Sequence, residues 1–114
     1  MMAGNLNLGN LCVIVDNNRL SQIGRTELCC SLEPLKAKLE SFRFSVTELN
    51  GHQEDEVYST IQKSAASANP VAIVCETIKG RGVSFMEDAN LWHYKTPKNE
   101  EYQKAAQELG GNEL

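Results

Sequence analysis

The sequence predicts an α/β fold, with a small, mainly parallel sheet of about three strands flanked by helices. Three short apolar runs have the character of strands, and stretches with helical periodicity separate them. Strands that alternate with helices pair in parallel through right-handed crossovers. No internal repeat or linker divides the 114 residues, so we expect a single domain over residues 1–114.

The first strand is expected at residues 11–15, where an uninterrupted apolar run is typical of a strand buried on both faces. A polar cluster at residues 16–19 ends the strand. The first helix is expected from Ser31, a candidate N-cap, with Pro34 in the first turn, where proline is tolerated. Its apolar positions repeat at helical spacing and are Leu35, Leu39 and Phe42.

The second strand is expected at residues 44–49, closed by the turn-forming residues Asn50 and Gly51. A helix then follows, because apolar residues recur about every four positions behind an acidic first turn. It is expected to end before Pro70. The third strand, residues 71–75, is apolar throughout, which again indicates burial on both faces.

A loop broken by glycines, residues 79–82, leads from the third strand toward the C-terminal helix. That helix is expected to start between residues 97 and 101 and to stop at Gly110 and Gly111. The tail beyond it is expected to fray.

Charge and composition exclude several classes of function. The chain has 15 acidic and 11 basic residues, a net charge of −4, and no basic patch of the kind that binds nucleic acid. Its apolar start is too short and too interrupted for a membrane span, so we expect a cytoplasmic protein. The four cysteines lack CxxC spacing and are interpreted as buried structural thiols in a reducing compartment, rather than as a zinc site or a disulfide framework.

Two polar loops, residues 16–24 and 79–95, follow the first and third strands. Ligands of parallel α/β sheets bind at the carboxyl ends of the strands, so these loops form the candidate site. Taken by themselves, the polar residues 16–18 are typical of an Asx-type turn at the end of a strand.

Three stretches in this order resemble the transketolase family. They are residues 10–20, which contain Asp-Asn-Asn-Arg-Leu, residues 32–35, which read Leu-Glu-Pro-Leu, and residues 79–87, which begin Lys-Gly-Arg-Gly and are followed by Trp92 and His93. Residues 50–52 also resemble the family's Asp-Gly-His turn. The match is collinear from about residue 3 to residue 109 and implies part of the family's thiamine-diphosphate-binding domain.

The resemblance implies a function and a set of site residues. Transketolases move a two-carbon ketol unit between sugar phosphates with thiamine diphosphate, whose diphosphate is bound through Mg²⁺. By resemblance, Asn18 supplies a side-chain oxygen and Leu20 a backbone carbonyl to the metal. Lys79, Lys95 and Asn18 are the implied cofactor contacts, and His93 is the implied catalytic residue near the thiazolium.

Some of these residues also have ordinary interpretations. Lys79 and Lys95 could be solvated surface charges, and His93 an ordinary loop histidine. Tyr94 stands where the family's Trp-His-Gly motif has glycine, and Ile23 stands where relatives tend to carry aspartate.

The resemblance also implies a truncated three-layer domain. No Gly-Asp-Gly occurs in the sequence, and residues 2–6 resemble the end of the helix that follows this motif in the family. We therefore expect a domain fragment that is inactive as a lone chain. One alternative is a subunit of a split transketolase-like enzyme that partner chains complete. Another is a non-catalytic module that dimerises or binds a protein.

An apolar strand edge points to the partners that we expect. The strand at residues 11–15 would lose its neighbour and expose an apolar edge, and such edges pair with other chains. We expect a homodimer or a complementary transketolase-like subunit to cover it. A phosphate or nucleotide site independent of thiamine diphosphate lacks a glycine-rich fingerprint between strand and helix.

Overall fold

The computed structural model describes residues 1–110. Along the chain its elements are α1 (Met2–Asn5), β1 (Cys12–Asn17), β2 (Leu20–Ser21), β3 (Gly24–Arg25), α2 (Thr26–Cys29), α3 (Leu35–Ser41), β4 (Ser45–Asn50), α4 (Glu54–Ser64), β5 (Val71–Glu76), a 3₁₀ turn (Asn90–His93) and α5 (Glu100–Glu108). The predicted fraying of the tail falls on residues 111–114, which lie outside the described residues.

The chain forms two compact units. The first, the sheet unit, contains Met1–Asn18 and Cys30–Thr77. The second, the loop unit, contains Arg19–Cys29 and the chain from Ile78 onward. A single domain over residues 1–114 stays a prediction.

The sheet unit confirms the predicted α/β class with its small parallel sheet. Its three strands lie in the order β1-β5-β4, and β5 pairs in parallel with both neighbours. The helices α3 and α4 pack against β4. The last strand in the sequence therefore occupies the centre of the sheet.

The core is built around β5, whose first five residues are all buried, and Ile73 at its centre has no exposed surface. Leu49 of β4 packs against this strand, with Cys12 and Val57 partly buried beside it. The prediction of burial on both faces is confirmed for β5 and is wrong for β1, where Ile14 is 53% exposed. The reason is position, because β1 is an edge strand that pairs only with β5 within residues 1–110.

The predicted helix starts need one correction. Helix α3 begins at Leu35 after Pro34, so Ser31 is not its N-cap. The Ser31 hydroxyl instead accepts a hydrogen bond from the backbone N–H of Glu33 at 3.4 Å, within the segment that precedes the helix. Phe42 follows the last helical residue and is exposed.

The interpretation of all four cysteines as buried thiols is also wrong. Cys75 is buried and Cys12 is half-buried, but Cys29 and Cys30 are exposed. The last two lie at the end of the short helix α2, which buries none of its residues. Within residues 1–110, no helix is long and apolar enough to cross a membrane.

Candidate functional site

The carboxyl ends of the three parallel strands bring polar residues into one row. The strand register places Asn17 of β1 and Asn50 of β4 on either side of Glu76 of β5. Each apolar run in the sequence is followed by polar residues at the same level of the sheet. We call Asp16, Asn17, Asn50, Glu76 and Thr77 the strand-end cluster.

Two side-chain hydrogen bonds connect β1 to β5 within the strand-end cluster. Asn17 is 6% exposed and donates from Nδ2 to Oε1 of Glu76 over 2.6 Å. The hydroxyl of Thr77 donates to the carboxylate of Asp16. These bonds fix the point at which the chain leaves β1 toward Asn18.

The turn after β4 is held close to β5. The backbone N–H of Gly51 donates to the carbonyl oxygen of Glu76 over 2.8 Å. A Cβ at Gly51 would lie 2.5 Å from Cγ2 of Thr77 and 2.8 Å from Cβ of Cys75, so this approach requires glycine. The Oδ1 of Asn50 accepts from the N–H of His52 at 3.0 Å, which makes an Asx-type turn here and gives His52 a turn position.

The two residues predicted to bind the metal lie on either side of a sharp bend. Asn18 follows the last residue of β1 and is half-buried. Arg19 has a φ of 61°, in the left-handed region, and Leu20 then begins β2. Leu20 pairs with Arg25 in an antiparallel hairpin that belongs to the loop unit.

Lys79 opens the glycine-broken loop of the loop unit. Its carbonyl oxygen accepts from the N–H of Asp88 at 2.9 Å, which closes residues 79–88 into a compact loop. Gly80 has a φ of 73°, and a Cβ there would lie 2.5 Å from the carbonyl oxygen of Met86. The loop therefore depends on a glycine that belongs to the Lys-Gly-Arg-Gly motif.

His93 and Lys95 lie beside an aromatic pair. Trp92 donates from Nε1 to the carbonyl oxygen of Phe85 over 3.0 Å, and the two ring centroids are 5.2 Å apart. His93 ends the 3₁₀ turn and is exposed. Lys95 forms an ion pair with Glu101, and its Nζ lies 4.5 Å from the centroid of the Trp92 ring.

An open groove of about 500 Å³ lies in the loop unit next to this aromatic pair. Its lining combines aromatic rings with charges of both signs: Phe85, Ala89, Leu91, Trp92, Lys95, Glu100, Glu101 and Lys104. The hydrogen bond from the Lys95 side chain is the main cause that lowers the pKa of Glu101 below its usual range. The groove therefore presents an ionised carboxylate beside a lysine and an indole ring.

The structure thus distributes the predicted site residues over both units. Leu20, Lys79, His93 and Lys95 belong to the loop unit, and Asn18 to the sheet unit. In this conformation Lys95 binds Glu101. The metal, cofactor and catalytic roles of these residues stay predictions.

Sequence reasoning missed several residues that organise the site. Asn17, Glu76 and Thr77 could have been found, because polar residues at the ends of adjacent parallel strands meet. Asp88 and Asn90 contact the β2–β3 hairpin, and no short-range signal in the sequence indicates this pairing.

A comparison with known families decides the ancestry of this chain. The family profile described as "Transketolase, thiamine diphosphate binding domain" matches residues 1–113. The chain belongs to the transketolase family. The resemblance read from the sequence motifs is therefore confirmed, and the chain is a transketolase-like thiamine-diphosphate-binding domain.

Curated relatives agree with this assignment. One of the two subunits named for an apulose-4-phosphate transketolase in Phocaeicola vulgatus is 36% identical over 110 residues, which cover 95% of this chain and 39% of that protein. The 6-deoxy-6-sulfo-D-fructose transketolase subunit SqwG of a Clostridium species is 34% identical over 110 residues, covering 96% of this chain and 40% of that protein. The chain thus spans about two-fifths of the length of these relatives.

Solved transketolase structures share the fold. The transketolase of Campylobacter jejuni superposes with a TM-score of 0.90 at 27% identity, over 97% of this chain and 17% of that one. The transketolase of Leishmania mexicana gives a TM-score of 0.88 at 25% identity, with the same coverage of both chains. The arrangement of β1, β4 and β5 is therefore that of the transketolase domain.

The donor chemistry at the end of β1 suits the family's metal-bound cofactor in kind. A side-chain amide at Asn18 and a backbone carbonyl at Leu20 are hard oxygen donors, which Mg²⁺ prefers. Within residues 1–110, no three His, Cys, Asp or Glu side chains cluster as a metal site. These residues would therefore hold such an ion only together with further ligands.

Proposed function

We propose that this chain forms part of the thiamine diphosphate site of a transketolase-like enzyme that transfers a two-carbon ketol unit between sugar phosphates. The match to the family profile over residues 1–113 carries the proposal. Asn18 and Leu20 would hold Mg²⁺, Lys79 and Lys95 would contact the cofactor, and His93 would bind substrate hydroxyls or move a proton. Thiamine diphosphate supplies the stabilised carbanion.

The proposal includes a second polypeptide. Two oxygen donors do not fill the octahedral shell of Mg²⁺, so the remaining ligands must come from elsewhere. Relatives that this chain matches over about two-fifths of their length are themselves named as single subunits of larger enzymes. We therefore propose that the 114-residue chain transfers no ketol unit alone and that a complementary transketolase-like polypeptide completes the site.

The free edge of β1 is the surface that this polypeptide would cover. Its strand carries Cys12, Val13, Ile14 and Val15 without a charge among them. The other edge strand, β4, carries Glu48, which forms an ion pair with Lys36 of α3 at 3.7 Å. Charges protect strand edges from pairing, so β1 is the edge open to another strand.

A cytoplasmic location belongs to the same proposal. Cys29 and Cys30 are adjacent, exposed free thiols, which persist in reducing compartments.

The proposal is tested by reconstitution. The chain is assayed for ketol transfer from a ketose phosphate, alone and after co-expression with the polypeptides encoded beside it, in buffer with thiamine diphosphate and Mg²⁺. Calorimetry measures cofactor binding to the same samples. We expect activity and micromolar binding only in the combined sample, and Asn18→Ala to weaken binding there while Asn5→Ala, at an exposed position in α1, does not.

Three results would contradict the proposal. Ketol transfer or micromolar cofactor binding by the lone chain would overturn the need for a second polypeptide. Absence of binding in every combination would overturn the transketolase function. A stable dimer of the lone chain by light scattering, abolished by Ile14→Lys, would assign the β1 edge to a second copy instead.

A further inference from the structure

We propose that Asp88 and Asn90 are positioning residues that clamp the β2–β3 hairpin and thereby hold the Leu20 carbonyl in place for the metal. The inference rests on the proposed function for the role of Leu20. The clamp itself rests on contacts within the loop unit.

The hairpin is too small to hold its shape alone. Each strand has two residues, and isolated two-stranded hairpins are marginally stable in water. Its internal bonds are few: the N–H of Thr26 donates to the carbonyl of Arg19 at 3.0 Å, and the Ser21 hydroxyl donates to the carbonyl of Gly24 at 3.0 Å. External contacts must therefore fix where Leu20 lies.

Two such contacts come from one short segment. The guanidinium of Arg25 forms an ion pair with the carboxylate of Asp88. The side chain of Asn90 donates from Nδ2 to the carbonyl of Gln22 over 3.0 Å. One contact holds the strand opposite Leu20, and the other holds the turn of the hairpin.

The clamping segment is itself fixed. Asp88 has a φ of 54°, in the left-handed region, and its N–H donates to the carbonyl of Lys79 at 2.9 Å. Oδ1 of Asn90 is buried, so the carboxamide is enclosed rather than solvated. The clamp thus connects the loop that begins at Lys79 to the hairpin that begins at Leu20.

Amide hydrogen exchange in the full chain tests the clamp without any cofactor. Opening of the hairpin is read at the amide of Thr26, with Val74 in the buried strand β5 as internal reference. We expect Asp88→Asn to speed exchange at Thr26 about 2- to 5-fold, the range of an exposed ion pair. Asn90→Ala should speed it about 2- to 12-fold, the range of a neutral hydrogen bond.

Matched controls make the same changes elsewhere. Asp55→Asn and Asn69→Ala alter exposed residues of the sheet unit and should leave Thr26 unchanged. In an Arg25→Met background, Asp88→Asn should add nothing, because its ion-pair partner is already gone. Unchanged exchange at Thr26 in both clamp variants would overturn the clamp.

The positioning role needs a second readout. Mn²⁺ replaces Mg²⁺ in the presence of thiamine diphosphate, and paramagnetic broadening of the Leu20 amide is followed by NMR, which detects weak binding to the lone chain. We expect the Mn²⁺ concentration for half-broadening to rise in the clamp variants by a factor similar to that in exchange. Faster exchange with an unchanged half-broadening concentration would overturn the positioning role. Absence of broadening at Leu20 in the unmodified chain would overturn its metal role and the positioning role together, while the exchange data alone would still decide the clamp.

Discussion

Asn17 and Glu76 join the ends of two neighbouring parallel strands through a hydrogen bond of 2.6 Å from Nδ2 to Oε1. Asn17 is the buried polar residue at the end of β1, and Asn18 follows it directly. The contact therefore links the packing of the sheet to the position of a proposed metal ligand.

Breaking this contact should destabilise the sheet unit. Asn17→Asp replaces the donor with a second carboxylate next to Glu76 in a buried position, and we expect a loss of about 1–3 kcal/mol. Urea unfolding followed by far-UV circular dichroism measures it. The double variant Asn17→Asp with Glu76→Gln should recover part of the loss, because the new amide can donate to the new carboxylate; no recovery would contradict the assigned contact.

Gly80 should be far less replaceable than Gly110. Both have positive φ, 73° and 74°, but a Cβ at Gly80 meets the carbonyl oxygen of Met86 at 2.5 Å, whereas nothing lies within 4 Å at Gly110. Gly80→Ala should cost the left-handed strain of about 1–2 kcal/mol and an added steric term. Gly110→Ala should cost only the strain. Urea unfolding followed by the fluorescence of Trp92 compares them, and equal losses would refute the clash.

Acidification should loosen α5. The backbone N–H of Ser84 first, and its hydroxyl second, lower the pKa of Glu108, as the Lys95 side chain lowers that of Glu101. A folded-state pKa below the unfolded one adds stability above the unfolded value and loses it as the pH falls through the folded value. We therefore expect α5 contacts to weaken below pH 4.5, the ordinary value.

Carboxyl-carbon NMR titration checks this expectation. Lys95→Met should raise the pKa of Glu101 and leave that of Glu108 lowered, since Glu108 depends on Ser84. Equal shifts at both glutamates would show that the two contacts are not separate.

The cysteines should react with alkylating reagents in an order set by exposure. Cys29 and Cys30 are exposed and should be modified first, and half-buried Cys12 later. Burial first, and then the charge of Asp16, raise the pKa of the Cys75 thiol, so its thiolate is scarce and Cys75 should react last. Peptide mass mapping after timed alkylation at pH 8 gives the order, with urea-unfolded chain as the control. Early modification of Cys75 would contradict its burial in β5.

Local sequence patterns were sufficient for most elements. The apolar run at residues 71–75 appears as β5, and the helical periodicity behind the acidic residues 54–56 appears as α4. Where long-range context was needed, the patterns failed. The run at residues 11–15 resembles that of β5, yet β1 lies at an edge and exposes Ile14.

The candidate site shows the same division. Motifs identified Asn18, Leu20, Lys79, His93 and Lys95 because family likeness is written in short stretches of chain. Their surroundings were not predictable, since the partners of Asn17, Arg25 and Lys95 were not inferred from any short motif. The ion pair of Lys95 with Glu101 is an example, because it follows from how the chain turns between the 3₁₀ turn and α5.

The sequence by itself determined the family, the α/β class and the loops that carry the site, because these depend on periodicity and on motifs within a few residues. Only the tertiary structure decided that β5 lies at the centre, that Asn17 meets Glu76, and that Asp88 and Asn90 hold the hairpin of Leu20. The physical reason is that strand order and side-chain pairing across 59 or more positions arise from packing of the whole chain, which no local pattern encodes.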